Sequence, residues 1–220
     1  TWSTKASMPK AMWGMVAVYD PKTKKIYVFG GCIDGSCTNV NSDVLVYDPV
    51  TDSWETKTGV PITRGAMAVF APDDGKIHII SESFANCHAS YDPDTGQFAD
   101  EPAPPYCVRW GVLTYYKGKL YLISGTDPSA GQMVARLMIY DLATKTWGQG
   151  ATPPFTGHGF VREWGWLNGK LYVIEWLDNS NEFWGRVYRY DPATDTWEFV
   201  GYTLYARDGP AGYMAKDGMI

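Results

Sequence analysis

The chain has 220 residues, 45% of them hydrophobic, 15% aromatic and 20% charged, which is enough apolar material for a sizeable core and is not the composition of a disordered chain. Its formal net charge of −5 argues against a general nucleic-acid binder, because neutralising phosphates needs a basic surface. No apolar run approaches the roughly 18 residues of a membrane-spanning helix.

From residue 11 onward the chain reads as short strands divided by turns, with no helical periodicity. Met15–Tyr19 is apolar, Asp20-Pro21-Lys22-Thr23 turns, and Lys25–Phe29 runs back to Gly30-Gly31. A loop from Cys32 to Ser42 precedes a strand at Asp43–Tyr47, then a turn, then a strand around Trp54. These are four antiparallel strands, A to D. The second copy has A at Ala66–Phe70, B at Lys76–Ser81 and C near Cys87–Tyr91. The third has A at Gly111–Tyr116, B at Lys119–Ile123 and C at Ala135–Tyr140. The fourth has A at Trp164–Leu167, B at Lys170–Ile174 and C at Gly185–Tyr190. Lys117-Gly118 and Asn168-Gly169 mark tight A–B hairpins, since Gly supplies the positive φ of primed turns. The B strands are unbroken apolar runs, as expected of strands buried on both faces.

Between C and D one phrase recurs: Tyr47-Asp48-Pro49 through Trp54, Tyr91-Asp92-Pro93 through Phe98, Tyr140-Asp141 through Trp147, and Tyr190-Asp191-Pro192 through Trp197. Its aspartates stand at 48, 92, 141 and 191, steps of 44, 49 and 50 residues, which marks a repeat architecture. The Asp side chain can accept backbone N–H groups two residues on, Pro presets φ, and Thr closes the turn with its hydroxyl. Trp then opens the outgoing strand with a large face to bury. A lone four-stranded sheet cannot bury two apolar faces, whereas sheets arranged radially can, which is a β-propeller.

The phrase, the Gly30-Gly31 pair after strand B and the repeat length resemble kelch repeats over essentially the whole chain. The diglycine is clean only there; its counterparts read Ser81-Glu82, Ser124-Gly125 and Glu175-Trp176. The expected fold is therefore all-β, a propeller of four-stranded antiparallel kelch-type blades spanning 1–220, with blades at about 10–58, 64–100, 109–148 and 162–200. Partial blades are expected at both ends: Thr1-Trp2 reads as the tail of a D strand, and residues 212–220 as a further A strand and the start of B. The resemblance implies closure with six or seven blades, so the sequence reads as a fragment of a longer chain, a chain with an unread remainder, or a subunit whose open blade is completed by a neighbour. Made alone, such open edges are expected to self-associate.

In a blade of this kind the B–C loops and D–A connections share one face. Aligned on the A-strand glycines Gly14, Gly65, Gly111, Gly165 and Gly212, the aromatics Trp13, Trp110 and Trp164 fall at the position before the glycine, and Tyr213 directly after its own. Just upstream lie Lys10, Arg64, Arg109, Arg162 and Arg207. These side chains serve either as glue between blades, with Arg stems packed on indoles, or as a mouth in which Arg forks hold carboxylates and Trp faces stack on rings or sugars. Trp13, Arg64, Arg109, Trp110, Arg162, Trp164 and Arg207 are accordingly the candidate ligand-binding residues. Glu82 and Glu175 are expected at the same rim, as partners of the arginines or, with His158, as acid–base groups. No Ser-His-Asp phrase, phosphate-binding loop or metal-ligand spacing appears, so no catalytic residue, metal or cofactor is assigned.

Of four cysteines, Cys32 and Cys37 lie in one B–C loop, where a small closed loop is sterically feasible, and Cys87 and Cys107 fall on the same face. All four can pair without crossing the molecule, the alternative being four free thiols; disulfides persist mainly outside the cytosol. The leading reading is a secreted or extracellular, non-enzymatic binding module, with a cytoplasmic location as the alternative. It recognises a protein or glycan ligand, an acidic peptide or glycan, at its Arg/Trp-rich loop face. A structural subunit forming homo-oligomers through open blade edges and a carbohydrate-active enzyme using the channel mouth are the alternatives. No nucleic-acid partner and no membrane span are expected.

Overall fold

The computed structural model describes residues 2–129, 131–155, 159–177 and 185–203, and for 159, 160, 162–164, 176 and 177 the backbone alone. His158, Trp184, Arg207, Tyr213 and the stretch read as a further A and B strand lie outside the described residues.

Among the described residues sixteen strands form four antiparallel sheets, each in simple chain order. The first holds β1 (Val16–Asp20), β2 (Lys25–Phe29), β3 (Asp43–Asp48) and β4 (Ser53–Thr58). The second holds β5 (Met67–Ala71), β6 (Lys76–Ile80), β7 (His88–Asp92) and β8 (Gln97–Asp100). The third holds β9 (Val112–Tyr116), β10 (Lys119–Ile123), β11 (Leu137–Asp141) and β12 (Thr146–Gln149). The fourth holds β13 (Gly159–Leu167), β14 (Lys170–Leu177), β15 (Gly185–Asp191) and β16 (Thr196–Tyr202).

The recurring phrase is the outer hairpin of each sheet. Asp48 accepts the Val50 N–H at 2.8 Å, and Asp92, Asp141 and Asp191 repeat that bond with Asp94, Ala143 and Ala193. The chain then passes through the left-handed region at Asp52, Gly96, Lys145 and Asp195 before the outgoing strand begins. The phrase's two aromatics face each other across the ladder. Tyr47–Trp54 ring centroids are 5.0 Å apart and Tyr190–Trp197 4.9 Å apart, the distance at which aromatic pairs add to sheet stability. The inner hairpins have positive φ at both Lys117 and Gly118, and at both Asn168 and Gly169, as primed turns require.

Each sheet buries one face against the next. Tyr27 and Phe29 meet Ile77, Ile79 and Tyr91 in the first core, Met67 and Ile80 meet Leu120 and Tyr140 in the second, and Tyr121 and Ile123 meet Val173 and Tyr190 in the third. The first strands of successive sheets touch: β1 with β5, β5 with β9, β9 with β13. Strand A is thus the inner strand, and the chain segments leading into it converge.

Two expectations are corrected. Residues 2–7 adopt no strand and Trp2 is fully exposed, since a D strand is held by backbone pairing to a C strand and Trp2 has none among the described residues. The fourth inner hairpin is also longer than the apolar run suggests, reaching back to Gly159 and on to Leu177 with a bulge between Val161 and Glu163. Glu175 is therefore paired within the sheet, opposite Val161 and Arg186, instead of standing at a loop rim.

Candidate functional site

One end of the inner strands carries the B–C loops. Trp13 bridges Cys32, and Arg109 bridges Thr126, as isolated antiparallel pairs. The segments leading into the A strands also bond to one another: Gly65 N–H donates to Gly14 O at 3.3 Å, and Trp110 N–H to Gly65 O at 2.9 Å. These bonds set the equivalence of positions. Gly14, Gly65 and Trp110 correspond, all with positive φ (70°, 80° and 61°), so Trp13, Arg64 and Arg109 share the place before them. The sequence alignment on Gly111 set Trp110 beside Trp13 and was one residue out of register.

The side chains of this mouth are closely placed. The Arg64 guanidinium lies 5.0 Å from the centre of the Trp13 ring, a cation–π distance, while Trp13 Nε1 donates to Asp34 O at 2.8 Å. Among the described residues Arg64 has no carboxylate partner. Arg109 Nη1 stands 3.4 Å from Glu82 Oε1, both side chains half-buried, and the buried Arg109 Nε has no acceptor. Trp110 lies across Gly65, where an added Cβ would come within 2.7 Å of the indole. One face of Trp110 is therefore covered by backbone. Lys10 is not part of the mouth's free charge: it pairs with Asp43 and donates to Asn41 Oδ1 at 3.1 Å.

Acidic groups here are few and engaged. Burial pushes the Asp34 carboxyl up, but the N–H groups of Asn39 and Thr38, with the Ser36 hydroxyl, outweigh it and hold the carboxyl below the usual range. Glu175, expected at this rim, is fully buried 4.0 Å from Arg186. Trp166 is glue between sheets, stacked on Tyr116 at 4.1 Å and donating to Thr114 Oγ1 at 2.9 Å. Arg162 and Trp164 belong to β13, next to this mouth in sequence order, and the structure describes only their backbone.

Two disulfides brace the same face. Cys32–Cys37 closes the first B–C loop, with Cα atoms 4.8 Å apart, and Cys87–Cys107 ties the second B–C loop to the segment entering the third sheet, at 5.7 Å. Among the described residues no group of three or more His, Cys, Asp or Glu side chains is placed to hold a metal ion, and no helix is long and apolar enough to cross a membrane.

The kelch motif family matches residues 23–59, from the turn before β2 through β4. The chain is also similar to a protein named as an F-box/kelch-repeat protein of Arabidopsis thaliana, 26% identical over 188 residues that cover 78% of this chain and 45% of the relative. It is similar in structure to YjhT, with a TM-score of 0.75 and 16% identity over 99% of this chain and 78% of that one. The chain carries a kelch motif and has the fold of a kelch-type β-propeller. It spans under half the length of the curated relative it matches.

Kelch repeats suggest a protein-binding module. Sequence reasoning missed one member of the mouth. Arg136, at the start of β11, has its guanidinium 3.5 Å from the centre of the Tyr106 ring, and its carbonyl accepts the Ser124 N–H at 2.7 Å. Arg186 holds the equivalent place in the fourth repeat, five residues before the recurrent aspartate as Arg136 is, so a signal was present in two of the four copies. The neighbouring Cys107 was a further clue that the connection bearing Tyr106 is pinned to this face.

Proposed function

We propose that this chain is a non-enzymatic binding module that takes an acidic peptide or glycan at the mouth formed by Trp13, Arg64, Arg109 and Trp110. The observation that carries the reading is the unspent cationic capacity. Arg64 has an aromatic ring beneath it but no carboxylate among the described residues, and Arg109 keeps a buried Nε without an acceptor beside its single contact to Glu82. The part-exposed Arg109 side chain and the Arg64 guanidinium leave N–H groups that an incoming carboxylate engages in charge-assisted hydrogen bonds. Disulfides on this face support an oxidising, extracellular setting.

A charge-assisted hydrogen bond is worth about 1.5–3 kcal/mol, so Arg64→Ala and Arg109→Ala each weaken a ligand found by an unbiased acidic-peptide and glycan screen about tenfold or more. Arg189→Ala serves as the control, since Arg189 pairs with Glu198 and Tyr172 within the fourth sheet. Ligands that bind equally well after both mouth arginines are removed make them glue between blades and end the proposal.

A further inference from the structure

Two histidines are buried side by side where the second sheet meets the third. His78 on β6 and His88 on the neighbouring β7 are both shut off from solvent. They are links in one continuous chain of hydrogen bonds. Asp74 Oδ2 stands 2.9 Å from His78 Nε2, His78 Nδ1 stands 3.0 Å from His88 Nε2, and His88 Nδ1 stands 3.1 Å from Pro102 O. Both ends of the chain are oxygens, and the Pro102 carbonyl only accepts. Three hydrogen bonds need three protons, whereas two neutral imidazoles carry two between them. With two, one contact would set acceptor against acceptor inside the core, which is costly.

We propose that His78 and His88 hold three ring protons between them, a single buried positive charge facing the Asp74 carboxylate, and that the pair is an acid-released latch on the connection from Glu101 to Cys107. A fourth proton has one free ring nitrogen to settle on, the acceptor between the two rings. It turns that bond into donor against donor and sets two cations 3.0 Å apart. The charged groups around the pair are already engaged. Burial raises the Asp74 pKa, but the His78 hydrogen bond and charge, with Lys76 beside it, outweigh burial and leave it lowered. Glu101, just after β8, accepts from the hydroxyls of Ser90 on β7 and Tyr140 on β11 and pairs with Lys145 at 3.4 Å. The rings of Tyr140 and Trp147 close over His88 at 4.9 and 5.5 Å.

Pro102 O is the node of the latch, since it also accepts from Trp147 Nε1 at 2.8 Å. Beside it the Glu101 N–H donates to His88 O at 3.0 Å. When the rings part, His88 gives up Pro102, and the connection loses its hold on the second sheet. The Cys87–Cys107 bridge keeps the far end tethered, so the release is local and reversible.

The test uses the native, disulfide-intact chain labelled with nitrogen-15 histidine. At pH 7 one ring of the pair is expected to carry protons on both nitrogens and the other to be the Nδ1–H tautomer; two neutral rings overturn the proposal. Hydrogen exchange then follows two amides that hold the same place in successive repeats. Glu101 donates to His88 O, and Gly150, likewise three residues after its outer aromatic, donates to Leu137 O. After correction for intrinsic exchange, Glu101 loses protection about twentyfold between pH 7 and 5. That is the change expected when opening returns His88 from a pKa of about 4 to its ordinary 6.5. Gly150 keeps its protection. Equal loss at both amides, or no loss at either, overturns the latch.

Discussion

At the top of β9 two neighbouring residues divide a task that one glycine performs in the first two sheets. Gly14 and Gly65 combine positive φ with close approach, their added Cβ atoms falling 2.7 Å from Arg64 Cβ and from the Trp110 ring. In the third sheet Trp110 takes the positive φ and Gly111 the crowding. A Cβ on Gly111 would stand 2.5 Å from Ser124 O and 2.9 Å from Ile123 O, both backbone atoms that cannot swing aside. Gly111→Ala is therefore expected to cost about 1–3 kcal/mol, as overpacking does, and to lower the melting temperature by several degrees. Gly35→Ala, with nothing within 4 Å, leaves it unchanged; equal melting of the two variants rules out this account. The one-residue slip in the sequence alignment has the same origin. The letter Gly marks both positive φ and lack of space, and only the backbone tells which of the two a given glycine serves.

Elements were legible where their cause is local. The outer hairpin is specified by an Asp, a turn and two facing aromatics within eight residues, and all four copies form. What holds β6 and β7 to the third sheet was not legible, because it requires knowing which strands face each other. His78 and His88, both buried, lie in neighbouring strands with Nδ1 and Nε2 3.0 Å apart. His88 Nδ1 donates to Pro102 O at 3.1 Å, His78 Nε2 stands 2.9 Å from Asp74, and Tyr140 packs edge-on against His88 at 4.9 Å. Burial, then the His78 charge, lower the His88 pKa from 6.5 to about 4. The unfolded chain thus binds a proton between those values that the folded chain refuses, so stability falls as pH drops from about 6.5 to 4, by up to about 3 kcal/mol. Glu101 acts in the same direction at lower pH: burial raises its pKa, but the hydroxyls of Ser90 and Tyr140 outweigh burial and leave it lowered. The urea midpoint should drop across this window in the native chain and drop less in His88→Gln; parallel pH profiles would remove His88 as the cause.

At the scale of the whole molecule, each sheet adheres mainly to its neighbours through a separate core, as in other repeat architectures. The three seams are not alike. Between the first and second sheets a Lys22–Asp94 ion pair is added at the surface, and between the third and fourth the Trp166–Tyr116 stack. The seam between the second and third carries the Glu101 network, the Arg109–Glu82 pair and the Cys87–Cys107 bridge. That bridge spans 20 residues and joins two sheets, whereas Cys32–Cys37 spans 5 within one loop. Loop-closure entropy makes the longer worth about 3 kcal/mol and the shorter about 2. The longer also fixes the segment that bears Arg109 and Trp110. Cys87→Ala/Cys107→Ala should therefore lower the melting temperature by about 6–12 °C and weaken an acidic ligand at the mouth, while Cys32→Ala/Cys37→Ala lowers it less. Intact-mass analysis after alkylation without reductant comes first and should find no modified thiol in the native chain. Four modified thiols there, or a Cys87/Cys107 variant that melts and binds like its parent, would show that the packed faces alone hold the second and third sheets together.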